Sequence, residues 1–482
     1  MDERVVAAAR LLPDYLGQHV ALSAAALALG LIISLPLVVF TRHHARLRWA
    51  LLTFSSVIQT VPSLALLALF YPLLLALSAA TTHAFGHGFS ALGFLPSLLA
   101  LTLYSMLPIV RNGTTALMNL DPAVIEAAHG VGMTDRQRLL RIEVPLAAPV
   151  LMAGIRTAAV WVIGTATLST PVGQTSLGNY IFSGLQVENW VSVLFGCAAA
   201  VALALITDQT LGLVEAGVRR RSPRLVWLGV GLLVVGIVAA LVPRFAAEKP
   251  SYVLGAKSFS EQYILGDLMA DQLRKEGSTA TVRAGLGSVL AFRALAGNDI
   301  DAYVDYSGTI WATIMGRTDN PPRELMLKEM GEWLKRERGV VLLGALGFEN
   351  AYALAMKRSR AEQLGIHSIQ DLQGRAPNLS LGADFEFLAR PEWRAIQQSY
   401  GLEFKAKRQF QSTFMYRAID SGEVDVISAF SSEGRVAAYD LVLLTDPKQV
   451  ILPYDAIVLV SPARASDATL RGALTPMVGR VP

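Results

Sequence analysis

Trp49–Val110 runs for 62 residues without a single Asp, Glu, Lys or Arg. A membrane-spanning helix needs roughly 20 apolar residues. The run is therefore long enough for two spans joined by a short hairpin near Thr81–Ser90. Tyr15–Thr41, Thr157–Val187, Asn189–Thr207 and Leu225–Pro243 are uncharged in the same way. The pattern predicts six spanning helices, at about 18–40, 49–78, 91–111, 148–169, 190–215 and 225–243. The first does not read as a cleaved signal peptide, because further spans follow it and no small-residue cleavage site ends it.

Only half of the chain has this character. At 482 residues there is room for two or three domains, and the mean hydropathy of +0.43 is an average of unlike parts. Residues 1–250 hold 16 Lys and Arg against 11 Asp and Glu, a net +5. The remaining residues hold 26 against 27, a net −1. The basic pI thus comes from arginines flanking apolar spans, which argues against nucleic acid as a partner. Cys197 is the only cysteine, so disulfides and cysteine-based metal sites are excluded.

Those arginines also orient the spans. Arg42, Arg46 and Arg48 lie after the first helix, Arg136, Arg138 and Arg141 after the third, and Arg219, Arg220, Arg221 and Arg224 after the fifth. The opposite loops, Ala79–Ser90 and Thr170–Asn189, contain one charge, Glu188. The arginine loops are therefore cytoplasmic, and the N-terminus and everything after Pro243 lie outside. Pro36, Pro62, Pro72, Pro96 and Pro108 interrupt or border the spans, as helix-bundle packing permits. Gln59 and Thr60 beside Pro62 are candidates for lining a translocation path.

Between the third and fourth spans lies Glu126–Gly154. Asp121-Pro122 offers a helix N-cap with proline at the first position. Gly132 can end that helix, Leu139, Leu140 and Ile142 supply an apolar edge, and Pro145 can start the next helix. The product is a stubby cytoplasmic helix carrying one acid and small alanines. Glu126-Ala127-Ala128, Gly132 and Ile142-Glu143-Val144-Pro145 resemble the EAA loop of permease subunits of binding-protein-dependent, ATP-driven importers. The family usually has Leu where Val144 stands. The resemblance covers roughly residues 15–215. It implies that Glu126, Ala127, Ala128 and Gly132 couple to a separate cytoplasmic ATPase, two copies of which serve a homodimer of this chain in the lipid bilayer.

After a polar linker at Arg244–Pro250, strand and helix patterns alternate, which argues an α/β domain. Ser251–Ala256 reads as a strand and Glu261–Glu276 as an amphipathic helix. Tyr252–Gly255 with Lys257-Ser258-Phe259-Ser260-Glu261-Gln262, then Gly285–Ser288, Asp301–Thr309 and Phe430–Gly434, resemble betaine- and choline-type substrate-binding proteins over about residues 251–460. The expected architecture is a polytopic α-helical permease fused to a two-lobed α/β binding domain. Its boundaries are 1–217 for the permease with its coupling loop at 126–154, 218–250 for the sixth helix and linker, and 251–482 for the extracytoplasmic binding domain. The resemblance places the first lobe at about 251–350 plus the segment after 455, and the second at about 351–454.

A quaternary ammonium donates no ordinary hydrogen bond and is held by aromatic faces at roughly 0.5–2 kcal/mol per contact. A carboxylate wants Arg, Lys and hydroxyl donors. Matching the family's motifs implies an aromatic set of Tyr306, Tyr352, Phe430 and Tyr454, and a carboxylate-side set of Lys257, Thr309 and Arg390. A tyrosine is expected where Phe430 stands, which leaves a ring face but removes a hydroxyl. Trp311, Trp393 and Phe387 read as core. Asp384, Glu386, Glu349 and Asp455 are acids near these motifs, and one of them would suit choline, carnitine or an imidazole-bearing betaine such as ergothioneine. No P-loop G-x-x-x-x-G-K-[ST] occurs, His residues lack metal-ligand spacing, and no nucleophile–base set stands out. No cofactor or metal is therefore expected, and an importer subunit is favoured over an enzyme or a membrane-anchored sensor. The family usually continues past the last strand with further helices, so the resemblance implies a shortened C-terminus.

Overall fold

The computed structural model describes residues 3–86, 89–186, 188–246 and 251–481. Two compact units divide the chain: one comprises the residues up to Gly184 and from Trp190 to Glu248, the other Leu185–Asn189 and the residues from Lys249 onward.

The first unit is helical: α1 (Glu3–Thr41), α2 (Ala45–Thr60), α3 (Ser63–Phe85), α4 (Phe94–Met118), α5 (Pro122–Gly130), α6 (Asp135–Arg138), α7 (Val144–Ala166), α8 (Gly178–Gln186), α9 (Trp190–Arg219) and α10 (Pro223–Ala246). Among the described residues six helices are long and apolar enough to cross a membrane: α1, α3, α4, the stretch containing α7, α9 and α10. The second expected span is corrected. Residues 49–78 form not one helix but α2 and α3, broken at Val61-Pro62, where Val61 is extended at φ −71° and ψ 127°. Pro62 disfavours helical geometry in the residue before it, and the Tyr104 hydroxyl donates to the carbonyl of Val61. α3 then runs through part of the expected hairpin to Phe85. At the other end α10 continues to Ala246, and the rest of the expected linker lies outside the described residues.

Helix α4 is the most deeply packed, with α1, α2, α3 and α7 around it. Leu22, Ala26, Leu101, Val162 and Ala166 form one buried cluster, and Leu66, Leu67, Ala100, Tyr104 and Val172 another. Helices in lipid approach closely through small residues. A Cβ on Gly154 of α7 would lie 2.7 Å from the Pro108 carbonyl oxygen of α4, so only glycine fits that crossing. Pro108 has no N–H for the carbonyl of Tyr104, four residues earlier in α4. The Gln59 side chain donates to that carbonyl at 3.4 Å, and the Thr60 hydroxyl donates to Val57 at 2.7 Å. Both polar groups expected as path-lining candidates are thus used to satisfy backbone.

Arg156 of α7 makes paired hydrogen bonds of 3.0 and 2.8 Å to Asp208 of α9 and another of 2.6 Å to Glu215. Asp208, Gly212 and Glu215 share one face of α9 at helical spacing, and Gly212 lies against the guanidinium. The cluster has two carboxylates to one cation, within helices otherwise almost free of charge.

The second unit contains two five-stranded sheets. β1 (Tyr252–Lys257), β2 (Ala280–Leu286), β3 (Ala302–Tyr306), β4 (Val341–Glu349) and β10 (Asp455–Val460) form the order β2-β1-β3-β10-β4. β5 (Tyr352–Lys357), β6 (Ser380–Asp384), β7 (Ala406–Phe410), β8 (Val426–Phe430) and β9 (Leu441–Leu443) form β7-β6-β8-β5-β9. Each sheet mixes parallel pairs with antiparallel ones: β1 runs with β2 and β3, and β10 opposes β3 and β4. The chain crosses between sheets after β4 and returns before β10, where the sequence placed the lobe boundaries. The two crossings are joined by Asn350 N–H donating to the Tyr454 carbonyl at 2.9 Å. Near the end of the chain, Gly479 and Val481 donate to the carbonyls of Ala345 and Leu346 on β4.

Candidate functional site

Ligands of open α/β sheets bind beyond the carboxyl ends of the strands. Here Lys257, Tyr306, Asp384 and Phe430 are the last residues of β1, β3, β6 and β8. They converge on a cavity of about 160 Å³ between the lobes. All seven sequence-matched residues, Lys257, Tyr306, Thr309, Tyr352, Arg390, Phe430 and Tyr454, line it. Gly308 makes room for one of them: a Cβ there would lie within 2.8 Å of the Tyr454 ring.

The aromatic wall is continuous. Tyr352 lies 4.8 Å from Phe430 and 5.9 Å from Tyr454, ring centre to ring centre, the latter pair edge-on at 88°. Phe259, quoted in the first motif but not singled out, stacks on Phe430 at 5.7 Å and 16° and lies 6.0 Å from Tyr306. It joins the rings of one lobe to those of the other. Phe385 also borders the cavity and is 63% exposed. Phe387, Trp393 and Trp311 are buried core, as expected.

Arg390 is the best-placed cation. It precedes the helix Pro391–Tyr400, and its guanidinium lies 5.2 Å from the Tyr352 ring centre. One nitrogen, Nη2, donates to Glu386 at 2.6 Å. Nε and Nη1 are buried and find no acceptor among the described residues. Packing around Glu386 would raise its pKa, but the charge and hydrogen bond of Arg390 outweigh this and hold it below the usual value.

Lys257 is placed differently from the expectation. Its ammonium, 1% exposed, pairs with Asp305, which is fully buried. Asp305 also accepts from the Tyr303 hydroxyl and from Tyr306 N–H at 2.7 Å. Burial pushes the Lys257 pKa down against the pull of Asp305. The ammonium therefore stands 5.0 Å from the Tyr306 ring with its charge already compensated. Thr309 is buried at the start of the helical turn Thr309–Ile314.

The four nearby acids separate. Asp384 lines the cavity, but its oxygens accept from Glu386 N–H, Phe387 N–H and Ser428 Oγ, and burial raises its pKa. Glu386 is engaged by Arg390. Glu349 and Asp455 both pair with Arg323 and are absent from the cavity wall. A further acid, Glu261, accepts from the Tyr306 hydroxyl, from Asn350 Nδ2 at 3.3 Å and from Ser432 Oγ. Burial raises its pKa. Arg435 of the second lobe donates to Ser260 at 3.2 Å. Glu261 and Ser260 of the first lobe are thereby tied to the segment after β8. Tyr454 reaches the second lobe through Glu392, to which its hydroxyl donates. No group of metal-ligand type clusters among the described residues.

The second candidate site is the loop from Asp121 to Val144. Asp121 caps α5 by accepting from Ala123 N–H at 2.9 Å. Gly132 adopts φ +78°, and Met133 N–H returns to the Ala128 carbonyl at 3.1 Å, which closes the helix. Glu126, Ala127 and Gly132 are exposed, whereas Ala128 faces inward and is buried. Val124, Val131 and Leu140 are exposed beside them. Thr134 and Gln137 form a capping box that starts α6. Buried Arg138 and Glu143 join at 2.7 Å, with Arg42 3.5 Å from Glu143. Spacing alone did not reveal that pair, since Arg138 read only as an orienting charge.

Residues 250–478 match the family described as the substrate-binding domain of the ABC-type glycine betaine transport system. Residues 26–220 match the binding-protein-dependent transport system inner membrane component. The chain is 27% identical to the ergothioneine transport permease/ergothioneine binding protein EgtU of Helicobacter pylori, over 88% of this chain and 76% of that one. It is 36% identical to the glycine betaine/carnitine/choline transport system permease protein OpuCB of Bacillus subtilis, over 43% of this chain and 87% of that one. Among solved structures, a glycine betaine/carnitine/choline ABC transporter protein aligns with TM-score 0.42 and 24% identity, over 48% of this chain and 88% of that one.

Proposed function

We infer the function from one premise: the chain belongs to the glycine betaine/osmoprotectant-type ABC importer subunits, with permease and substrate-binding domain fused in one polypeptide. It is a multi-pass membrane protein whose binding domain is extracellular. Residues 1–217 form the pore, 218–250 the sixth helix and tether, and 251–482 the capture domain. Two copies of the chain make one pore, and two copies of a separate ATPase hydrolyse ATP beneath it. Glu126, Ala127 and Gly132, with the exposed Val124, Val131 and Leu140, present the docking surface, while Ala128 packs the helix from behind. The tether replaces diffusional encounter by an effective concentration in the ~mM range.

The substrate is a betaine-type zwitterion. The observation that carries this reading is Arg390, buried beside an aromatic wall with two guanidinium nitrogens unmatched. A carboxylate can accept a charge-assisted hydrogen bond from either nitrogen, while Tyr306, Tyr352, Phe430, Tyr454 and Phe259 offer ring faces to the ammonium. Lys257 and Thr309 stand on the carboxylate side, Lys257 with its charge compensated by Asp305. A second reading, ergothioneine, is favoured by the fused relative named for it, which matches across both parts of the chain. Calorimetry of the full-length chain in nanodiscs against glycine betaine, choline, carnitine and ergothioneine tests both. At least one betaine should bind, and Arg390→Ala should abolish that binding. Equal binding by the variant would remove the carboxylate anchor.

A further inference from the structure

Asn350 stands at the first crossing between the lobes, and its side chain lines the cavity at 5% exposure. Its Nδ2 donates to Glu261 at 3.3 Å. Its Oδ1 is buried and has no hydrogen-bond partner among the described residues. The orientation of this amide is determined by its surroundings. Turned over, it would set Oδ1 against the Glu261 carboxylate, which already accepts from Tyr306 and Ser432. The backbone N–H of Asn350 is bound to the Tyr454 carbonyl, which holds the residue in place. A buried acceptor left unmatched costs free energy, so this part of the wall presents an acceptor for which the protein supplies no donor, as Gln186 Oε1 does elsewhere on the same wall.

Resting on the betaine reading above, we propose that Asn350 Oδ1 is a specificity determinant that accepts a hydrogen bond from the bound solute. The preferred solute then carries an O–H or N–H donor in addition to its carboxylate and quaternary ammonium. Glycine betaine has only methyl groups, methylene and carboxylate, and leaves Oδ1 unmatched. A hydroxylated betaine or one bearing a ring N–H satisfies it. Sites built around a hydrogen bond discriminate strongly against analogues lacking the partner group, because the site's own polar atom is then stranded.

The test is calorimetry of the full-length chain in nanodiscs with three probes: glycine betaine without a donor, carnitine with a hydroxyl, and ergothioneine with a ring N–H. The unaltered chain should bind carnitine or ergothioneine about tenfold or more tighter than glycine betaine. Asn350→Ala should remove most of that preference, so that the three probes bind within about threefold of one another. Glycine betaine binding tightest to the unaltered chain would overturn the proposal, as would an Asn350→Ala variant that weakens all three probes equally. If the variant fails to fold, the ranking on the unaltered chain decides. The comparison of carnitine with ergothioneine separates an O–H donor from an N–H donor. Arg390→Ala in parallel isolates the underlying reading: unchanged affinity there overturns the betaine assignment itself, whereas loss of binding there with no preference at Asn350 overturns only the present inference.

Discussion

At the scale of single residues, the cavity wall separates side chains with spare bonding capacity from those already committed. Arg390 has two buried nitrogens without an acceptor, whereas the Lys257 ammonium is charge-compensated by Asp305, although the same family motifs pointed to both. Arg390→Lys should therefore fail to restore tight binding, because a single ammonium cannot hold Glu386 and also reach the solute in the fixed directions of the planar guanidinium; calorimetry showing parental affinity would contradict this. Phe430 tests the aromatic wall. Phe430→Ala should weaken binding by about 0.5–2 kcal/mol through the lost ring face, and Phe430→Tyr, measured in the same titration, should change it little. Equal losses in both variants would assign the ring to packing instead. The seven wall residues were legible only because whole motifs matched in order; burial and periodicity alone would have sent Tyr352 and Phe430 to the core. Asn350, Glu261, Phe259 and Asp305 were not singled out, because their significance lies in partners 45 to 171 positions away in sequence.

At the scale of elements, two helix-level devices deserve mutation. The first is the buried Arg138–Glu143 pair in the loop proposed to dock on the ATPase. Removing one partner leaves the other only its weaker contact, Arg42 for Glu143 and Asp135 for Arg138, so the cost falls below the roughly 3–5 kcal/mol of a fully stranded buried charge. Arg138→Ala should lower the thermal midpoint of the purified chain, with Glu143→Gln doing the same; midpoints matching the parent would show that the loop is held by other contacts. Glu126→Ala is the contrasting change, since Glu126 is exposed: uptake should be lost while ligand binding and thermal stability stay intact. Uptake at the parental level would remove Glu126 from the coupling surface. The second device is the Arg156–Asp208–Glu215 cluster between α7 and α9. Ionisable groups at such depth are costly unless paired, so Arg156→Ala should reduce the yield of folded protein in membranes, and Arg156→Ala with Asp208→Asn should recover part of it. Uncharged runs revealed the spans plainly. They did not reveal the break at Val61-Pro62, because a hydropathy pattern is blind to a missing N–H and to a backbone turn between two apolar stretches.

At the scale of the whole molecule, the division into a helical membrane part and an α/β capture part was the most legible property of the chain. It rests on composition, which differs sharply across residue 250, and on arginine placement, which needs no knowledge of packing. The lobe boundaries were legible for a different reason: the resemblance to two-lobed binding proteins carried them, and the chain passes from one sheet to the other and back at those places. What composition cannot supply is the solute, since one acceptor, such as that proposed at Asn350 Oδ1, is enough to separate one betaine from another. Fusion of capture and conduction in one chain has a mechanistic consequence. Uptake should respond to mutations at both ends, with Arg390→Ala acting through binding and Glu126→Ala acting after it. The most direct measurement of the central claim is uptake of radiolabelled betaines into proteoliposomes that hold the full-length chain, with and without a cytoplasmic ABC ATPase and ATP sealed on the opposite side from the binding domain. Accumulation should require both the ATPase and ATP, and Arg390→Ala should abolish it. Uptake that proceeds without the ATPase, or tight betaine binding with no ATP-driven uptake when the ATPase is present, would contradict the account.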